Sequence, residues 1–182
     1  MSEVNKFFIP SFLILVLGLV LYPYLYLSPL LPMLVHYGIL AFSIFFGLKI
    51  GQNKKKYLLI SAIPVVVLWH LPWFFGLATR YIDVWVLDVF SMFMSGYVVG
   101  SCIKGSNLTL QLILFSLWML GDSLLSYLWI VNPVYYAYPI SIYPSSQFPL
   151  AGTVMFVFMD MLGVGIILWV FFKRIFSEIG YN

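Results

Sequence analysis

Charged residues are scarce in this sequence: they make up 8% of its 182 residues, whereas hydrophobic residues make up 63% and the mean hydropathy is +1.05. Soluble globular domains carry about 25% charged residues, so the composition excludes that class and indicates an integral membrane protein. The few charges form no basic patch of the kind that binds nucleic acid. We therefore expect the lipid bilayer, and no DNA or RNA, among the partners.

Cysteine and histidine are also rare. Cys102 is the only cysteine, which excludes an internal disulfide, thiol-pair redox chemistry and a metal site built on cysteines. The two histidines, His36 and His70, each lie inside an apolar segment. Because Pro72 follows His70 within two residues, the sequence predicts a kinked helix that carries a titratable ring.

Continuous apolar runs near the ~20 residues that span a bilayer predict an all-α integral membrane protein. We expect one domain over residues 1–182, a bundle of about six transmembrane helices. The predicted spans cover residues 7–28, 30–51, 57–78, 83–104, 108–131 and 151–172. The outer connection, residues 132–150, is rich in tyrosine and proline, so we predict a non-helical loop in the headgroup region that covers the bundle as a lid.

The basic residues are distributed unequally between the two sides of this bundle. If the spans alternate, eight of the nine lysines and arginines fall on one side and only Arg80 falls on the other. The positive-inside rule then predicts that both termini are cytoplasmic. We expect the protein in the plasma membrane. Within the fourth span, Gly96 and Gly100 have the spacing that lets two helices approach closely.

Five of the predicted helices each carry one ionisable residue in the outer half of the membrane: His36, His70, Asp88, Asp122 and Asp160. With a rise of ~1.5 Å per residue, these residues lie about 8 to 13 Å below the outer ends of their spans. An aspartate in a span costs ~2.5–3.5 kcal/mol. We therefore expect all three aspartates to face the bundle interior and to find hydrogen-bond donors there.

Three interpretations of this polar layer remain open. Histidine nitrogens with methionine sulfurs and carboxylates form a donor set that suits copper. Two histidines on adjacent helices at one depth also suit axial ligation of haem b. The third interpretation is a hydrogen-bonded network that fixes helix register, with the methionines as apolar filler. An intramembrane serine protease fits less well because Ser95 lies ~19 Å deep, below the depth of His70, and we predict no enzymatic activity.

Three segments resemble a known family. Trp69-His70-Leu71-Pro72, with the aromatic run after it, resembles the Trp-His-x-Pro segment of the CtaG-type membrane proteins, which are associated with cytochrome c oxidase assembly. Met33-Leu34-Val35-His36 is similar to the second half of their His-Met-x-x-His segment. Gln147 with Ala151-Gly152-Thr153-Val154-Met155 resembles their Asp-Gln-x-x-Ala-Gly-x-x-Met segment, and the similarity covers about residues 30–160.

This sequence departs from the family pattern at three places. Pro32 stands where the family has its first histidine, Asp88 or Val89 stands where a later histidine is expected, and Ser146 replaces the aspartate before Gln147. The histidines that remain at matching positions are His36 and His70.

The resemblance implies a membrane factor in the biogenesis of a haem–copper terminal oxidase, its expected partner, that binds copper transiently at the outer side of the bundle. The implied metal ligands are two histidines and two candidate methionines: His36, His70, Met92 and Met155. Three aspartates would orient the imidazoles: Asp88, Asp122 and Asp160. Two polar residues would lie at the rim: Arg80 and Gln147. The alternatives are a small accessory or haem-b-carrying subunit of a respiratory complex, and a structural bundle with a non-catalytic polar layer.

Overall fold

The computed structural model describes residues 15–51, 56–137 and 140–178, with the backbone alone for residues 170 and 173–178. Within these ranges the chain is helical and contains no strand. The helices are, in chain order, α1 (15–20), α2 (Leu30–Ile50), α3 (Leu59–His70), α4 (Pro72–Arg80), α5 (Ile82–Ile103), α6 (Leu108–Val131), α7 (Pro133–Ala137) and α8 (Phe148–Glu178). Short 3-10 helices cover Tyr22–Leu27, Lys56–Leu58 and Ser145–Gln147.

Among the described residues, four helical segments are long and apolar enough to cross a membrane: Leu30–Ile50, Ile82–Ile103, Leu108–Val131 and Ser145–Trp169. Such a set of apolar helices is that of a multi-pass membrane protein. The predicted spans 30–51, 83–104 and 108–131 agree with α2, α5 and α6 to within a residue, and span 151–172 lies inside α8. Residues 7–14 of the first predicted span lie outside the described residues.

The third predicted span, residues 57–78, is not one continuous helix. α3 ends at His70, α4 begins at Pro72, and the two helices are bent by 72° relative to each other. The cause is local, because a residue before proline is driven out of the helical region, and Leu71 is extended with φ −71° and ψ 142°. Pro72 then occupies the first position of α4, where its missing N–H costs nothing.

The connection from 132 to 150 also differs from its prediction, since it contains helix. Pro133 begins the short helix α7, where proline fits the first turn, and Ser145–Gln147 forms a 3-10 helix. Tyr143 Oη donates to the carbonyl of Leu25 at 2.6 Å, which ties the connection to the segment before α2. Tyr138 and Pro139 lie outside the described residues.

The centre of the bundle is the parallel pair α2 and α5. A Cβ on Gly100 would collide with the backbone of Ile44, and one on Gly96 would collide with Ser43. The close approach predicted for Gly96 and Gly100 is therefore confirmed. At one end of the pair, Lys104 Nζ donates to the carbonyls of Lys49 and Gly51 at 3.0 and 2.8 Å. We call this the Lys104 end, and the opposite end, where α7 lies, the α7 end.

In the described part of the chain, two apolar clusters fill the interior. The α5 cluster is built around Trp69, Trp85, Val89 and Met92. The α8 cluster is built around Phe75, Trp129, Phe148 and Met155. α2 lies between them, because its residues Ile39 and Met33 belong to the first and second cluster respectively.

Candidate polar site in the membrane domain

The polar site is organised by a buried pair between the two central helices. His36 of α2 and Asp88 of α5 are joined by a hydrogen bond of 2.8 Å between Nε2 and Oδ2, and both side chains are almost completely buried. When Asp88 is ionised, its oxygen accepts the hydrogen bond and Nε2 of His36 carries the hydrogen. The prediction that Asp88 orients an imidazole agrees with this contact.

Trp85 supports the ring of His36 from one turn along α5. The indole stacks on the imidazole with centroids 5.6 Å apart and an interplanar angle of 16°. Trp85 itself is fixed because its Nε1 donates to the carbonyl of Gly18 at 3.0 Å. Residues three apart share a helix face, so Trp85 and Asp88 together hold His36 by stacking and by a hydrogen bond.

The structure brings the second histidine to the first. The rings of His36 and His70 lie edge to face with centroids 5.3 Å apart. His70 is the last residue of α3, and its Nδ1 donates to the carbonyl of Val66 at 2.6 Å. The helix break leaves the carbonyl of His70 without a helical partner, and Tyr136 Oη of α7 donates to it at 3.2 Å.

Each histidine therefore has one nitrogen occupied and one left with a lone pair when the ring is neutral. In His36 the remaining nitrogen is Nδ1, which is buried and has no hydrogen-bond partner among the described residues. In His70 it is Nε2, because Nδ1 is bonded to Val66. A ring N–H bonded to a carboxylate or backbone carbonyl is the usual state of a metal-binding histidine.

The donor set available to a metal ion is small. Within the described ranges, no group of three or more His, Cys, Asp and Glu side chains is arranged to hold a metal ion. An ion bound between the two rings would therefore take two imidazole nitrogens. A porphyrin fits the same arrangement poorly, since axial imidazoles stand on opposite faces of the haem, whereas these rings pack directly against each other.

A second polar pair lies on another face of α2. Tyr37 Oη donates to Asp122 Oδ1 of α6 at 2.6 Å, and the phenol ring stacks on Phe158 of α8 with centroids 5.9 Å apart. Asp122 is buried, as predicted, and its donor is a phenol from α2. It belongs to a separate site, bonded to Tyr37 and not to either imidazole.

The remaining predicted site residues are dispersed. Asp160 is exposed on α8, so the expectation that all three aspartates face the interior is wrong for this residue. Met92 is buried in the α5 cluster and Met155 in the α8 cluster, so the two sulfurs do not form one donor set. Arg80 is exposed with its guanidinium 6.0 Å from the ring of Tyr81. Gln147 lines an open cavity of about 380 Å³ at the surface.

Sequence reasoning missed the aromatic residues that hold the site. Their positions in the sequence could have indicated this role, because both Trp85 and Tyr37 are aromatic residues with a polar group. Trp85 lies one turn from Asp88, and Tyr37 is next to His36. Trp69 was noticed only as part of a motif, yet its Nε1 donates to Ser91 Oγ at 2.7 Å. Ser91 in turn donates to the carbonyl of Asp88 at 3.0 Å, which couples α3 to α5 beside the histidine pair.

Comparison with known families gives one match. A family model described as "Protein of unknown function (DUF1404)" matches residues 8–173. No curated protein and no solved structure matches the chain. The matched range includes every residue of the histidine pair and of the Tyr37–Asp122 pair.

Proposed function

The chain belongs to the DUF1404 family, and we propose that it binds one copper ion transiently between His36 and His70, as a membrane factor in the biogenesis of a haem–copper oxidase. The observation that carries the proposal is the state of the two rings. Their centroids are 5.3 Å apart, and in each ring one nitrogen is fixed by a hydrogen bond while the other has no hydrogen-bond partner in the part of the chain that the structure describes.

The chemistry of the donors favours Cu(I) as the cargo. Imidazole binds zinc, copper, iron and nickel, but structural zinc sites use four ligands, whereas monovalent copper is stable with two. The net charge of the site also favours Cu(I), because a monovalent cation beside an ionised Asp88 leaves the site neutral. A divalent ion would leave one positive charge uncompensated in an apolar interior, which is costly.

The surroundings supply what a transient site needs. Asp88 and Trp85 hold His36 rigidly, while His70 lies at the end of α3, beside the bend. Tyr136 of α7 donates a hydrogen bond to the carbonyl of His70. Movement of α4 or α7 would therefore change the distance between the two rings and release the ion. Met92, one turn along α5 from Asp88, remains a candidate third ligand.

The oxidase partner and the orientation in the membrane rest on sequence. The CtaG-like segments, which include both histidines, support a role in oxidase biogenesis. The unequal distribution of lysine and arginine supports cytoplasmic termini in the plasma membrane, with the α7 end outside. In this arrangement the copper site lies in the outer half of the membrane.

Metal analysis and an optical spectrum of one detergent-purified sample test this proposal. After anaerobic loading with Cu(I) and removal of excess by bicinchoninate, the wild-type protein should retain one copper per chain, and His36→Ala and His70→Ala should retain none. In cells, His70→Ala should block oxidase maturation although the bundle still folds. A His70→Ala protein that supports full oxidase maturation would overturn the proposal.

The same sample distinguishes the alternatives. A Soret band that disappears in His36→Ala would identify a haem-b-carrying subunit. Absence of both copper and haem, with a lower thermal stability of His70→Ala, would identify a structural polar layer.

A further inference from the structure

A column of unpaired polar atoms runs along the buried face of α6. Asp122, Ser126 and Trp129 occupy positions i, i+4 and i+7, so they share one face of the helix. All three side chains are buried, with 5%, 0% and 0% of their surface exposed. Asp122 Oδ2, Ser126 Oγ and Trp129 Nε1 have no hydrogen-bond partner among the described residues.

This column faces the interior and not the lipid. A Cβ on Gly152 of α8 would meet the carbonyl of Ser126 and the Cβ of Trp129. The Trp129 ring contacts Phe148 of α8 with centroids 5.0 Å apart. The titratable side chains that contact the column are phenols, Tyr37 of α2 at Asp122 and Tyr136 of α7 at Trp129.

Three successive unpaired groups on one face are unusual. Nearly all buried polar atoms in proteins are hydrogen-bonded to protein or to ordered water, and a buried water commonly joins two to four such groups. The three groups suit water, since Trp129 is a donor, Asp122 offers an acceptor oxygen, and a hydroxyl can do both.

We propose that Asp122, Ser126 and Trp129 line a file of bound water that enters at the α7 end of the bundle and ends at the Asp122–Tyr37 pair. Trp129 lies two residues from the end of α6 at Val131. Asp122 lies seven residues further in, ~10 Å along the helix axis. The ligand of this site is water together with the protons it carries, and Asp122 is the carboxyl group with which those protons exchange.

The file is distinct from the proposed copper site. Tyr37 and His36 are neighbours in α2 but contact different helices, α6 and α5 respectively. Water in the file reaches the Asp122–Tyr37 pair without passing the histidines. The inference therefore stands whether or not the protein binds copper.

NMR of the isotope-labelled protein in detergent tests the file against matched internal controls. The indole N–H of Trp129 should exchange with solvent at least about tenfold faster than that of Trp85, which is equally buried but donates to the carbonyl of Gly18. Water cross-peaks should appear at the Ser126 Hβ protons and be absent at Ser43, which is equally buried but donates to the carbonyl of Leu40.

The variant Ser126→Val, which replaces the hydroxyl by two methyl groups, tests the end at which water enters the file. It should abolish the water contact at the Asp122 Hβ protons while leaving that of Trp129 intact. If Trp129 and Ser126 show no more contact with water than Trp85 and Ser43, the column is dry and the proposal is wrong. Water contact at Asp122 that persists in Ser126→Val would overturn the entrance at the α7 end.

Discussion

His36 and Asp88 are joined by a hydrogen bond of 2.8 Å in the interior of the bundle, and neither side chain has access to solvent. The bond crosses the closest helix pair of the fold, where glycines let the backbones of α2 and α5 meet. The pair has little freedom to separate, because the helices that carry it are in direct contact.

Replacing Asp88 by asparagine should weaken copper binding without removing it. Asparagine keeps the shape but loses the negative charge that offsets the cation and orients the His36 ring. Loss of such a supporting carboxylate typically lowers metal affinity by about 10–100-fold. Competition with bicinchoninate measures the change, and Asp83→Asn, an exposed position on the same helix, should bind like the wild type. Unchanged copper affinity in Asp88→Asn would show that the Asp88 carboxylate does not contribute to copper binding.

Replacing Pro72 by alanine should disturb the histidine pair through the backbone. Without proline, Leu71 is free to become helical, so α3 can continue into α4 and the ring of His70 turns away from His36. Copper affinity should fall by about tenfold or more, with the helix content by circular dichroism retained. Pro64→Ala, inside α3, is the matched control and should leave the affinity unchanged.

Replacing Gly100 by alanine should destabilise the bundle. The added methyl would collide with the backbone of Ile44, and overpacking of this kind costs ~1–3 kcal/mol. Gly38→Ala in α2 serves as the comparison, since a Cβ there meets nothing within 4 Å and alanine favours a helix by ~0.5–1 kcal/mol. Thermal unfolding should show opposite shifts, and a neutral Gly100→Ala would mean that α2 and α5 lie further apart.

Replacing Tyr37 by phenylalanine should reduce stability but not copper binding. The change removes the hydrogen bond to Asp122 and leaves its buried Oδ1 without the phenol donor, at a cost of ~1–3 kcal/mol. A double-mutant cycle with Asp122→Asn measures the coupling between the two side chains. A fall in copper affinity in Tyr37→Phe would show that the two polar pairs act as one site.

Sequence reasoning located the helices more reliably than the directions in which their side chains face. The apolar runs predicted α2, α5 and α6 because a bilayer demands continuous apolar segments of a set length. Depth arithmetic also placed His36, His70 and Asp88 at one level, and the structure brings these three together.

The depth of a residue in the membrane does not show which way its side chain points around the helix axis. The wrong prediction for Asp160 follows from this. Met159 and Asp160 are neighbours at the same depth, yet the first is fully buried and the second exposed. Successive residues point about 100° apart on a helix, and α8 is apolar on nearly every face, so its sequence does not mark the face that packs. Asp122 was placed inward correctly, but its tyrosine partner depended on how α2 and α6 pack.

The bend at Leu71 also bears on the order in which the protein is assembled. α3 has 12 residues and α4 has nine, or ~18 Å and ~13 Å, so neither helix alone crosses the ~30 Å hydrocarbon layer. An exposed break in the backbone is not tolerated in lipid, and it must be enclosed by protein. Both helices pack on α5, which is synthesised after them. The broken segment therefore cannot settle in the bilayer as it leaves the ribosome, and its insertion has to wait for α5, which makes maturation of the histidine pair a late step of biogenesis.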